Sequence, residues 1–558
     1  MKKIQIINAK VFNSFLKRFE DKNVLIEEGC FHYIDNEIHT HDELIDANNM
    51  YMIPGFIDSH MHIESSMCTP RAFSNAALVH GTTTVLADAH EIANVYGVLG
   101  LNEFMKSNTL LDVYYAIPSS VPSTNSSLET TGGFIGVEEV KELCKNEKVI
   151  ALGEVMNFND AVNKEDTLTK QIIKAVIESG GFKTIEGHCA RTSIKDVSDF
   201  LFAKVTSCHT EYTVEGFYNK IISGMFIQLQ KKAITKEVIK MLKDNNFYEY
   251  FSFVTDDVMP DDLKNGHLNT VMNLAIECGM DPIDVIYCST FTPARRMHLE
   301  DRGAISPGRI ADFMFIDDLR NIKPSKVFKD GILISENQKM IIDEPLQKYP
   351  SFFYNSIKTP KLCEEDFMYK CEKENPVCNI MEIQPHTTRT NHIKEVVKTK
   401  DGYLDYKASN LCLISVFNRY VDYKDCGYGL VKTNFKGAIC SSWCHDNHNL
   451  MVMGNDPKDM AICANTIIEN QGGMCIVENG EVKALVKLPI AGIVSDVSID
   501  ELAKDVKQLR DEMKRLGYVQ DNEIMSFAVL SLLVSPVLKI SNKGLVDVIN
   551  QKIIDLID

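Results

Sequence analysis

The stretch Pro54-Gly55-Phe56-Ile57-Asp58-Ser59-His60-Met61-His62-Ile63-Glu64-Ser65-Ser66 decides the reading of this chain. An apolar run ends there in two histidines one residue apart. Residues i and i+2 of a strand point to the same side. His60 and His62 therefore project together from the end of a strand, as a chelating pair of imidazoles. A bare His-x-His is also met as ordinary surface or core histidines, so the pair needs company before it means metal.

Outward from this stretch, short apolar runs alternate with amphipathic segments of helix length, the pattern of βα units and a parallel sheet. Strands are expected at 52–58, 82–87, 112–117, 149–154, 182–186, 204–207, 225–229 and 251–255, with helices such as 167–179, 214–223 and 236–243 between them. Eight strands in this spacing predict an α/β fold built on a closed TIM-like (β/α)8 barrel, whose chemistry sits at the C-terminal strand ends. Other ligand types recur at those ends. Glu154 closes the fourth strand, His188 follows the fifth, His209 the sixth and Asp256 the eighth. Each alone has a plain alternative as a cap or a hydrogen-bonded core residue. Together, four histidines and two carboxylates at one mouth can hold two divalent cations, with Glu154 bridging them.

The flanks of the barrel read differently. Residues 1–51 are short strands and turns, and the chain returns to a strand near 305–316, so 1–51 plus 303–350 are expected to form one small β-sandwich domain around the barrel of 52–302. Residues 351–401 are rich in Lys and Glu and read as a connecting region, followed by a C-terminal α+β domain over 402–558.

With 59 basic and 77 acidic residues the net charge is −18, a surface that repels nucleic acid and anionic membranes and leaves small neutral or cationic substrates. The start of the chain lacks the features of a signal peptide. No apolar run approaches the roughly 18 residues of a membrane helix. The 16 cysteines are scattered, so reduced thiols in a cytoplasmic protein are expected.

At this point the chain resembles the amidohydrolase superfamily and, within it, the adenine deaminase family. Besides 54–66, the resemblance rests on Ala87-Asp88-Ala89-His90-Glu91, Leu152-Gly153-Glu154-Val155-Met156, Thr255-Asp256-Asp257, Pro260-Asp261-Asp262-Leu263, His445-Asp446-Asn447-His448-Asn449 and Leu488-Pro489-Ile490-Ala491-Gly492. It implies hydrolytic deamination of adenine to hypoxanthine and ammonia, in purine salvage. The metal ligands it implies are His60, His62, Glu154, His188, His209 and Asp256, holding two divalent ions, Mn or Fe first and Zn also possible. Metal-bound hydroxide would attack C6 of the purine, with Asp256 as proton shuttle and Glu154 holding the ions. Glu64, Asp88, His90, Glu91, Glu129 and Asp257 are candidates for purine contacts or support of the ligands, with caps, turns or solvated charges as the plainer alternative. The partner is a small purine base, and the apolar segment 527–534 together with an extra C-terminal domain suggests a homo-oligomer, a dimer.

Two runs depart from the family pattern. Ser207-Cys208-His209-Thr210 stands where the family has Ser-Asp-His-Glu, with Glu211 one place later, and Gln230-Lys231-Lys232-Ala233 replaces an Arg-Glu-Gly-Ser run. They keep His209 but open the alternatives of another aminopurine or cyclic amide as substrate, or a catalytically silent metal- or purine-binding relative. Retention of Asp256 argues against the silent relative. Cys440, Cys444, His445 and His448 have spacing that a structural zinc site could use. The His-x-Glu with Pro-Cys-x-x-Cys pattern of the other zinc deaminases is absent, so that design is excluded.

Overall fold

The computed structural model describes residues 2–558 apart from 181–183, 343, 346 and 385–388. Eight parallel strands form the barrel: β1 (Phe56–Met61), β2 (Thr82–Asp88), β3 (Asp112–Ile117), β4 (Val149–Val155), β5 (Thr184–Gly187), β6 (Ser207–Cys208), β7 (Phe226–Gln230) and β8 (Phe251–Val254). β1 to β5 are hydrogen-bonded in order as one sheet and β6 to β8 as another. Two seams bring these together. Thr206 N donates to Ile185 O at 2.9 Å between β5 and β6. Asp256 N donates to His60 O at 3.2 Å, and His62 N to Asp256 O at 3.3 Å, between β8 and β1. The second seam is thus stitched by the backbone of three expected ligands.

The strands are buried almost continuously, as parallel strands covered on both faces must be. Leu168–Ser179 and Lys236–Asp244 lay apolar stripes on them. Each of these helices starts on a threonine, Thr167 or Thr235, whose hydroxyl accepts from a first-turn N–H.

The expected strand at 52–58 is two strands. Tyr51–Pro54 belongs to the outer sheet, and the chain passes through Gly55 into β1. A Cβ on Gly55 would lie 2.1 Å from Thr83 Oγ1 on the neighbouring β2, so the crossing requires glycine. Part of the expected fifth strand, 182–186, lies outside the described residues. The sixth is two residues long, starting three places later than expected.

Both flanks share one nine-stranded sheet, because Tyr51–Pro54 pairs antiparallel with Phe313–Ile316. Its far edge returns on itself through the Cys30–Ile310 bridge, and Phe31 meets Phe313 at 6.0 Å between ring centroids. Ile6, Val24, Phe31, Phe313 and Phe328 form the core so enclosed.

An eight-stranded sheet organises the C-terminal third, with the helices Pro457–Glu469 and Ile499–Arg515 against it. It starts inside the region expected to be a connector. Val377–Ile383 pairs antiparallel with Thr390–Val396 and parallel with Cys426–Lys432. Thr390–Val396 is the edge strand, exposing His392 and Lys394, and charge on an edge strand reads as a linker in sequence. Residues 527–534 are corrected too: Phe527, Leu530 and Leu533 are 0% exposed and pack within the chain, so they offer no surface for self-association. Among the described residues no helix is long and apolar enough to cross a membrane.

Candidate metal centre

His60 is the penultimate residue of β1 and His62 follows its end, and both imidazoles are buried at 2% exposure. His62 Nδ1 lies 2.8 Å from the Asp88 carbonyl oxygen at the end of β2. Donation to that carbonyl leaves His62 Nε2 as the lone-pair nitrogen. Nε2 stands 3.5 Å from Glu154 Oε1 and 3.3 Å from Asp256 Oδ1. His60 Nε2 is 3.5 Å from the same Asp256 oxygen, and His209 Nε2 is 3.2 Å from Glu154 Oε2. The rings of His60 and His209 stack at 4.2 Å.

These spacings have a chemical meaning. Two ligands of one ion, each bonded at about 2.1 Å, stand roughly 3.0–3.4 Å apart. Among the described residues four three-donor groups could hold a metal: His60, His62 and Asp256; His60, Glu154 and His209; His62, His90 and Glu154; and, beside these, His90, Glu91 and His445. His60 Nε2 is buried with no hydrogen-bond partner, an orphan that a cation would satisfy. The donor set therefore fits divalent metal.

The charges agree. Burial alone would raise Glu154, but the imidazoles of His209 and His188 hold its carboxyl well below the usual range. Asp256 is likewise held low against burial, by His60, His62 and His209 and the Lys232 ammonium. The histidines divide: burial and the neighbouring His60 push His209 down to about 4, whereas Asp256 and Glu154 raise His60 and, more strongly, His62 against the effect of burial.

His188 takes a different place from the other five. It follows β5 at the rim, its side chain 40% exposed, with Nδ1 2.8 Å from Glu154 Oε2, and it belongs to none of the four three-donor groups. Among the supporting candidates, Asp88 Oδ2 accepts from Glu154 N at 2.8 Å and so fixes the end of β4. Asp257 accepts from Ser65 Oγ at 2.6 Å, and Glu91 accepts from the same hydroxyl at 3.2 Å. Glu64 accepts from Ile92 N, and burial beside Glu91 pushes it up to about 7. Glu129 lies farther out and binds Ser123, Thr124 and Asn447, tying a loop together. His90 lies against His62, ring centroids 4.7 Å apart.

The departing runs can now be placed. Glu211 turns away into a buried ion pair with Lys220 at 3.2 Å. Cys208 Sγ lies 3.3 Å from the same ammonium. Gln230 Nε2 is buried without a partner at the end of β7, and Lys232 Nζ stands 4.0 Å from Asp256 Oδ2.

Sequence reading left the C-terminal segment without site residues. The hairpin 442–449, between strands Ala438–Ser441 and Leu450–Gly454, is buried at the barrel mouth. Trp443 Nε1 donates to Glu64 O at 3.2 Å, and Asn449 Nδ2 to Thr130 O at 2.8 Å. The hairpin brings His445 to 3.7 Å from Glu91 and Asp446 to 3.8 Å from His90. The motif at 445–449 was the available signal, but only the fold shows which mouth it enters. Among the described residues Cys440 and Cys444 join no metal-capable group, so the cysteine-histidine zinc pattern has no counterpart there.

A barrel with buried imidazoles and carboxylates at its strand ends defines an amidohydrolase, and residues 51–334 match the amidohydrolase family. Residues 387–552 match the adenine deaminase C-terminal domain. The chain is 44% identical to adenine deaminase 2 of Oenococcus oeni over 99% of its length and 98% of the relative's. It is also 44% identical to an adenine deaminase of Clostridium perfringens, covering 99% of this chain and 98% of that one. This chain belongs to the adenine deaminase family. Among solved structures, an enamidase of the amidohydrolase superfamily aligns with 62% of this chain and 98% of its own, at 18% identity and a TM-score of 0.47.

Proposed function

We propose that this chain hydrolyses adenine to hypoxanthine and ammonia, with two divalent ions, Mn or Fe, held by His60, His62, Glu154, His188, His209 and Asp256. The reading is carried by one coincidence: full-length likeness to adenine deaminases in a chain whose buried donors stand 3.2–3.5 Å apart at one mouth. Bound there, the ions supply Lewis acidity that makes water nucleophilic near neutral pH. The protein does the rest. Asp88 aims His62 through its carbonyl and fixes the end of β4 through its carboxylate. Asp256, held ionised by the surrounding imidazoles and Lys232, takes the proton of the attacking water and returns it to the ring nitrogen or departing amine.

A second reading, another aminopurine or a cyclic amide as substrate, is favoured by Lys232 beside Asp256 and by the unpaired Gln230 amide. One assay separates the two. The Mn²⁺- or Fe²⁺-loaded protein is given adenine, and hypoxanthine and ammonia are expected in equal amounts. Turnover of a different aminopurine or cyclic amide, with adenine inert, would replace the first reading by the second. A cytoplasmic dimer completes the proposal. Its support is the apolar outer surface of three barrel helices, where Ile177, Ile194, Phe202 and Ile222 are each at least 50% exposed.

A further inference from the structure

We infer that the barrel and the C-terminal hairpin share a further cation site of zinc type, held by His90 and Glu91 from one side and His445 and Asp446 from the other. The site lies outside the two-ion centre proposed above and does not depend on which substrate the chain takes.

The observation is a set of buried donors whose spacings suit an ion better than they suit each other. His90, Glu91, His445 and Asp446 are all buried. One ligand atom each from His90, Glu91 and His445 lie within 4.8 Å of one another. Asp446 Oδ1 stands 3.4 Å from His445 Nδ1 and 3.8 Å from His90 Nε2. Glu91 Oε1 stands 3.7 Å from His445 Nδ1. Hydrogen bonds between nitrogen and oxygen close to about 2.7–3.2 Å, so none of these contacts is one. Two ligands of a tetrahedral ion, each bonded at about 2.1 Å, stand roughly 3.4 Å apart, which these side chains reach by small movements. Glu91 Oε2 and Asp446 Oδ2 are buried with no hydrogen-bond partner, and a cation compensates such charge.

The groups behind the donors turn the right atoms inward. Cys444 N donates to His448 Nδ1 at 3.3 Å, so the proton of neutral His448 sits on Nε2, which faces Glu91 Oε2 at 3.6 Å. Glu91 is thereby braced from behind, with Oε1 left to the hairpin. Asp88 Oδ1 faces His90 Nδ1 at 3.7 Å, the placing of a carboxylate behind an imidazole that metal-binding histidines use. That leaves His90 Nε2 toward Asp446. The hairpin backbone is held independently of any ion, because Ser531 Oγ donates to His445 O at 2.9 Å and Tyr420 OH to Asn447 O at 2.8 Å. Among the described residues neither His445 nor Asp446 joins a metal-capable group with His60, Glu154 or Asp256, so this ion is an additional one. Imidazole and carboxylate donors take zinc, iron or manganese, and of the three zinc binds most tightly and manganese least.

The test counts zinc. Full-length protein is stripped with a chelator, loaded with Zn²⁺ alone, desalted and analysed for metal. The wild type is expected to keep about three equivalents, and His445→Ala and Glu91→Gln about two. A second readout is local, because Trp443 is the chain's single tryptophan and its ring lies 4.8 Å from that of His445. Zn²⁺ added to His60→Ala, whose two-ion centre is impaired, should still change the tryptophan emission. The double variant His60→Ala/His445→Ala should lose that change. Should His445→Ala fail to fold, His445→Gln keeps the volume without the imidazole, and the same loss of one equivalent is expected.

Equal zinc content in the wild type and the folded variants would overturn the inference. So would an emission change that persists in the double variant. Failure of the two-ion reading is separable, for it shows as fewer equivalents in the wild type with one still lost in His445→Ala.

Discussion

Asp256 occupies backbone space that few side chains tolerate. Its φ is 57°, in the left-handed region, and it is held there by backbone bonds to His60 and His62 across the barrel seam. Replacing it by Asn keeps that geometry and removes the proton acceptor. We expect Asp256→Asn to lower kcat for adenine by about 10³-fold, read by steady-state ammonia release. His60→Ala should cost metal instead, seen as reduced stoichiometry in elemental analysis. A third residue reports on pH. His267 is wholly buried beside Thr82, and burial with the nearby His80 pushes it down to about 3 from an ordinary 6.5. Between those values the unfolded chain takes a proton that the folded chain refuses, so this histidine costs stability as pH falls from 6.5. His267→Gln removes that penalty. Its stability relative to wild type should rise by up to roughly 1.4 kcal/mol per pH unit on acidification toward pH 4, measured by urea unfolding.

The strand junction at Gly55 shows how little room separates barrel and outer sheet. Gly55→Ala drives a methyl into Thr83, and overpacking of this kind costs about 1–3 kcal/mol. A lowered thermal midpoint, with metal content restored in the surviving protein, is the expected signature. Legibility in sequence followed the same physics. Long apolar strands such as Thr82–Asp88 and Val149–Val155 announce themselves, and with them the positions of Glu154 and the His60-His62 pair. β6, with two residues, carries too little pattern to fix its start. Thr390–Val396 was hidden because a charged edge strand and a solvated linker have the same composition. His445 and Asp446 were hidden for another reason: their contacts with Glu91 and His90 join distant parts of the chain, and no local periodicity encodes such a meeting.

On the scale of the whole molecule, the proposed ligands lie on or just after β1, β4, β5, β6 and β8, so a bound ion would tie together strands spread over most of the barrel. Ions that bind only the folded form should raise its stability by about 2.7 kcal/mol at a hundredfold excess over Kd. A rise in thermal midpoint with added Mn²⁺, reversed by chelator and absent in His60→Ala, is expected in a dye-based melting assay. The hairpin that roofs the mouth adds a consequence in time. A ribosome making this chain delivers Asp256, the last proposed barrel ligand, 189 residues before it delivers His445. Through that interval the barrel strands are made without the hairpin that lies over their mouth, so metal supplied during cell-free synthesis is expected to load faster than metal added to the finished chain, as radiolabelled Mn²⁺ would measure.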